Sequence, residues 1–249
     1  MPTELTDRCW LIELRGVNAY LVEDLPAEVV EEADVEAPSD APEVVDDDEY
    51  VLTLVDAGTP LDAERLAAET EATGHDVSEI ERVLLTHYDI DHAGGLAKLG
   101  LRDATVYVGR DDADLLAGRA RPDARTPKGL LHRLTGPFTD APDLAVEAVG
   151  DGDRVGTFQV YETPGHTPGH VAYASEALSI AFVGDLVIER DGELRPSPWY
   201  LSYDTEDVRE SIHDFADREP AVEVLAMGHG VPFLRGGSVR LAELGQRIE

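Results

Sequence analysis

Cysteine is nearly absent: Cys9 stands alone, so no disulfide can close within the chain and a cysteine-built zinc knuckle is excluded. Any metal must be held by histidine and carboxylate. Cys9 itself has no histidine or cation beside it in sequence and reads as a buried strand residue rather than a nucleophile. No apolar run approaches the roughly 18 residues needed to cross a bilayer. The opening MPTELTDRCW lacks the basic and apolar regions of a signal peptide, so the expected address is the cytoplasm, with no membrane partner.

Positive charge is scarce as well. Lys98 and Lys128 are the only lysines, and 20 basic residues stand against 52 acidic ones. No Lys/Arg cluster tracks a phosphate backbone, which argues against nucleic acid as a partner without excluding it, since a field of this sign is screened in strong brine. An imbalance this large is too extreme for one acidic patch and has the character of a halophilic protein. Carboxylates hold water and cations at high salt, and molar salt shortens the Debye length to about 3 Å, which quiets self-repulsion. Thermal melting in multimolar KCl is therefore expected to give a higher midpoint than in dilute buffer; equal midpoints would overturn this reading.

With 43% hydrophobic residues the chain can build a proper core. Residues 8–14 and 17–23 read as paired strands joined at Arg15 and Gly16. An acidic stretch at about 24–49 lacks regular apolar spacing and reads as a solvated insertion. Residues 50–58 form a buried strand, and Thr59 and Pro60 open a helix that stops near Gly74. Strands follow at 81–86 and 105–109, with a short helix expected near Gly94 and Gly95 between them. The Pro- and Arg-containing segment 118–140 could cover a site. From Leu144 strands dominate, at 144–149, 155–163, 170–175 and 178–185. A helix with Val208, Ile212 and Phe215 on one face then precedes a last strand at 222–227. Strands that do not alternate strictly with helices favour an α+β architecture, two mixed sheets packed face to face with helices outside, in a single domain spanning 1–249.

Four potential ligands, His87, Asp89, Asp91 and His92, lie within six residues directly after a strand. His166 in TPGHTPGH, Asp185 in VGD and His229 in GHG each follow a predicted strand and sit beside glycine. Loops at strand ends can converge such side chains on one point. Imidazole and carboxylate suit hard or borderline divalent ions, and there are donors enough for two ions about 3.5 to 4 Å apart that share and activate a hydroxide.

These spaced elements resemble the metallo-beta-lactamase superfamily, whose signature is HxHxDH followed by distant His, Asp and His. Val55-Asp56-Ala57-Gly58 is similar to the family's D-x-G turn and Asn18-Ala19-Tyr20 to its first hairpin, so the resemblance runs from about residue 8 to 235. It implies a four-layer αββα sandwich. His87 and His166 would belong to a first metal site, Asp91, His92 and His229 to a second, and Asp185 would bridge them. Asp89 departs from the pattern by standing where the family has its second histidine. It could ligate directly, ligate through water, or leave the first site weak. One or two divalent ions are expected, with zinc the first choice and manganese or iron possible alternatives.

The remaining histidines have plainer readings. His75, His132 and His213 are expected to be structural or solvated, although His132, with Trp199, Tyr200 and Tyr203, lies in segments that could line a pocket. His170 could orient a ligand or cap a strand, and Asp56 is expected to support the ligand loop through hydrogen bonds. The expected chemistry is attack of a metal-bound hydroxide on a small ester, thioester or lactone, with Asp91 orienting the nucleophile or shuttling its proton. With the sequence running only a short way past His229, no added helical domain is expected. The alternatives are a phosphodiesterase or nuclease of the same fold, and a non-catalytic metal- or ligand-binding protein with a degraded first site.

Overall fold

The computed structural model describes residues 1–26, 50–136 and 139–248. Most of the expected acidic insertion lies outside these residues. Its first member, Asp24, is fully buried: it ends β3, pairs with the Arg82 guanidinium and accepts from the Thr157 hydroxyl at 2.5 Å.

The first sheet holds seven strands in simple chain order, β1 (Thr3–Thr6), β2 (Cys9–Glu13), β3 (Asn18–Asp24), β4 (Val51–Val55), β5 (Arg82–Leu85), β6 (Thr105–Gly109) and β7 (Ala145–Val149). The first four are joined antiparallel, and β4 to β7 run parallel because helical crossovers separate them. Those crossovers hold α1 (Ala63–Thr73), α2 (Ile90–Ala93), α3 (Arg110–Leu116) and α4 (Pro127–Thr135). The second sheet has the order β14-β11-β10-β9-β8, from β8 (Arg154–Val155), β9 (Phe158–Glu162), β10 (Val171–Ser175), β11 (Ile180–Gly184) and β14 (Val224–Met227). A separate hairpin, β12 (Val187–Arg190) with β13 (Glu193–Pro196), and two helices, α5 (Thr205–Arg218) and α6 (Gly237–Arg247), complete it.

Three apolar clusters define the layers. One joins the outer face of the first sheet to α1 and α3 through Leu54, Val83, Leu66 and Leu116. A second lies between the sheets and contains Cys9, Tyr20, Leu84, Phe158 and Phe182; burial there pushes the Cys9 thiol far up, so it is inert as a nucleophile. The third joins the second sheet to α5 and α6 through Ala172, Val208, Phe215 and Leu241. Two sheets with helices on both outer faces make the αββα sandwich.

Several elements differ from the sequence reading. The first helix begins at Ala63 rather than at Thr59, because the Thr59 amide and hydroxyl both donate to Asp62, making a turn before it. The helix expected near Gly94 starts earlier, at Ile90, within the ligand segment itself. The segment 155–163 is two strands separated by a turn at Gly156. No helix among the described residues is long and apolar enough to cross a membrane.

Candidate metal centre

Strand direction explains why residues so distant in sequence meet. In the second sheet β9, β11 and β14 all run the same way, so the loops carrying His166, Asp185 and His229 leave from one edge. Parallel β4 and β5 deliver Asp56 and the His87 loop to the facing edge of the first sheet. The edges are tied directly, by the Val171 amide donating to the Thr86 carbonyl at 2.9 Å and by the Asn18 amide side chain donating to the carbonyls of Met227 and Gly230. Tyr20 adds a 2.6 Å bond to the Met227 carbonyl, which is what the first hairpin contributes to the site.

All seven sequence-nominated residues come together. Donor atoms group as His87, Asp89 and His166; as His87, His92 and Asp185; and as Asp91, His92 and His229, the atoms of each group lying within 4.8 Å of one another. Each nominated histidine has its Nδ1 occupied and its Nε2 aimed inward. His87 Nδ1 bonds Thr86 Oγ1 at 3.0 Å, His92 Nδ1 bonds Asp56 at 2.8 Å, His166 Nδ1 bonds Ser197 Oγ at 2.7 Å, and His229 Nδ1 donates to the Gly16 carbonyl at 2.5 Å. Such bonds fix tautomer and ring orientation, as they do for metal-bound imidazoles. Asp185 lies between the groups, with Oδ2 at 3.4 Å from His166 Nε2 and 3.2 Å from His229 Nε2, and Oδ1 at 3.5 Å from His92 Nε2.

The donor set fits a cation. His87 Nε2, His92 Nε2 and Asp185 Oδ1 are buried without a hydrogen-bond partner, an arrangement that buried polar atoms otherwise avoid. Burial opposes charge on His92, yet Asp56 and Asp185 outweigh it and push its pKa up to about 10, a measure of how strongly these carboxylates call for positive charge. On His87 burial and the neighbouring His92 prevail and hold the pKa well below the ordinary range, leaving a neutral donor. Space is reserved too: a Cβ at Gly228 would collide with Asp185 and His92.

Supporting residues divide into those expected and those missed. Asp56 behaves as expected, accepting from the Thr86 amide and hydroxyl as well as from His92. His170 orients Asp185: its Nε2 accepts the Asp185 amide at 3.1 Å, and burial drops its pKa to about 3, so it stays neutral. Asp112 was not singled out by sequence. It accepts from the Tyr88 amide, the Thr167 hydroxyl and the Gly169 amide, joining the His87 loop to the His166 loop, and burial raises its pKa to about 6. Of the two readings of His132, structural or solvated, the structure shows the first: the residue is buried and hydrogen-bonded. Helix α4 buries both His132 and Lys128 against Asp89, with His132 Nε2 on one carboxylate oxygen and Lys128 Nζ on the other. Proline at the first position and Thr126 capping the Gly129 amide start this helix, a signal that the sequence reading of 118–140 passed over. Trp199 and Tyr200 are exposed, whereas Tyr203 reaches His132 Nδ1 at 3.3 Å.

A sandwich whose strand ends converge imidazoles and carboxylates on one point defines the class of metal-dependent hydrolases. The chain belongs to the metallo-beta-lactamase superfamily, whose family model matches residues 44–229. It is 30% identical over 224 residues to the probable metallo-hydrolase YflN of Bacillus subtilis, covering 80% of this chain and 83% of that protein. It is also 28% identical over 147 residues to the hydroxyacylglutathione hydrolase GloC of Haemophilus influenzae, covering 57% of this chain and 64% of the other. Among solved structures, TTHA1623 in a di-iron-bound form superposes with a TM-score of 0.62 at 27% identity, over 93% of this chain and 97% of that one. The protein is thus a metallo-hydrolase, and divalent metal binding is expected of it.

Proposed function

We propose that the protein hydrolyses a small ester, thioester or lactone at a centre held by His87, Asp89, Asp91, His92, His166, Asp185 and His229. The observation that carries this reading is the convergence of four Nε2 atoms whose Nδ1 partners are all engaged. A divalent ion, when bound, supplies Lewis acidity for activating water and polarising a carbonyl. The residues do the rest. Asp56, Thr86, Ser197 and the Gly16 carbonyl lock the imidazoles in the donating tautomer. Asp91, partly exposed and 3.6 Å from His229 Nε2, orients the attacking water and takes its proton at Oδ2.

The carbonyl substrate class rests on the site's surroundings. Leu130, Leu131 and Leu134 of α4 are exposed, as are Trp199 and Tyr200 on the neighbouring turn that follows Ser197. Exposed apolar side chains on the helix that carries Lys128 and His132 suit an acyl or thioester group better than a polyanionic strand. The relative named as a hydroxyacylglutathione hydrolase points the same way, since an acylglutathione is a thioester. Zinc is the first choice for the ion, with iron and manganese as alternatives that a carboxylate-rich set accommodates. Most of the chain forms one domain, and the acidic composition suits a halophilic, cytoplasmic setting. In high-salt buffer, a panel of aryl esters, acyl thioesters, lactones and bis-aryl phosphodiesters should show turnover of the carbonyl compounds, lost on chelation and restored by metal. Preference for the phosphodiesters would overturn the assignment.

A further inference from the structure

Asp89 belongs to the first candidate donor group, and its carboxylate is already committed. Lys128 and His132, one turn apart on α4, approach it from the same side, Lys128 Nζ on Oδ2 and His132 Nε2 on Oδ1. Tyr203 lies 3.3 Å from His132 Nδ1, and because a carboxylate oxygen only accepts, His132 presents its Nε2–H to Asp89. It is a hydrogen-bond donor there rather than a ligand. Lys128 goes further. Its Nζ is also 3.1 Å from His166 Nε2, so it touches two of the three residues whose donors form the first candidate group. Both Lys128 and Asp89 are buried, which suits a pair whose charges compensate one another.

The carboxylates of the other two groups carry no such cation. Among the described residues, the ion pairs of Asp91 and Asp185 are with histidines alone. A divalent ion at Asp91, His92, His229 and Asp185 therefore meets imidazole and carboxylate with no lysine or arginine cation paired to them. An ion placed between His87, Asp89 and His166 would have to share them with an ammonium at contact distance, where like charges in a buried site repel strongly. The two departures in this chain match: a carboxylate replaces an imidazole at position 89, and one of only two lysines is buried upon it.

We propose that the Lys128 ammonium occupies the first metal position, paired with Asp89, so that the centre holds a single divalent ion at Asp91, His92, His229 and Asp185. The inference rests on the metallo-hydrolase reading above but is tested apart from it. Full-length protein is stripped, reloaded with Mn(II) or Zn(II) and desalted, and metal per chain is measured by mass spectrometry. Wild type should retain one ion. Lys128→Met should retain close to two, and its Mn(II) form should show the spin-coupled paramagnetic resonance signal of a pair in place of the single-ion spectrum. Lys128→Gln, which keeps a polar head without charge, gives the same comparison should the methionine variant fail to fold by circular dichroism. Two ions in wild type, or one ion in wild type and charge-removed variants alike, would overturn the assignment. No retained metal in any form would overturn the metallo-hydrolase reading itself.

Discussion

His92→Ala is expected to lose retained metal and to lower kcat/KM by at least about a thousandfold, roughly 4 kcal/mol of transition-state stabilisation. His92 is the residue on which most of the site depends. Its Nε2 is a buried, unpartnered donor 3.5 Å from Asp185, its Nδ1 is tied to Asp56, and its ring packs against both His87 and His229. It belongs to two of the three candidate donor groups, so its loss weakens both. Truncation also leaves Asp56 and Asp185 facing an enlarged anionic cavity. Metal analysis together with turnover of the best substrate in the panel checks this. Retention of metal with unimpaired turnover would place the active ion elsewhere.

Asp56→Ala is expected to damage stability and metal binding together. The carboxylate is buried and accepts from three donors, the Thr86 amide and hydroxyl and His92 Nδ1. Removing it leaves those donors unpaired in the interior, a loss of about 3 to 5 kcal/mol by comparison with other buried, hydrogen-bonded charge partners. With His92 no longer held in its donating tautomer, metal affinity should fall by about 10- to 100-fold. The backbone adds a further cost, since Asp56 has φ 57°, a left-handed conformation that alanine adopts poorly and asparagine tolerates. Asp56→Asn should accordingly recover much of the stability while metal affinity stays reduced. Urea midpoints and metal titrations of the two variants separate the contributions. Equal midpoints for wild type and Asp56→Ala would show that the buried bonds are not structural.

The paired strands 8–14 and 17–23 were legible because apolar runs broken by Arg15 and Gly16 permit little else. The helix bearing Val208, Ile212 and Phe215 was legible from its spacing, and all three residues are buried on one face. Boundaries near polar turns were harder to place. Thr59 and Asp62 compete for the same helix start, and the hydrogen bonds that decide between them depend on folded geometry. Asp24 reads as one more acidic residue until Arg82 and Thr157 are seen to enclose it. Asp112 has no local signature because its three donors come from residues 24 to 57 positions away.

The seven candidate ligands were determined by the sequence itself, because strand-end loops rich in His, Asp and Gly have few other uses and their spacing survives without knowledge of packing. Asp89 was visible there as an anomaly, with its consequence left open. Only the tertiary structure decided what answers it. Helix α4 was not read from the sequence, where 118–140 stood only as a segment that could cover a site, although Thr126 and Pro127 punctuate its start. Which of its faces is buried, and against what, depends on how it docks. Docked, it brings Lys128 and His132 onto a carboxylate about 40 residues earlier in the chain. A charge inside a protein is set by its neighbours in space, and those neighbours are not written beside it in the chain.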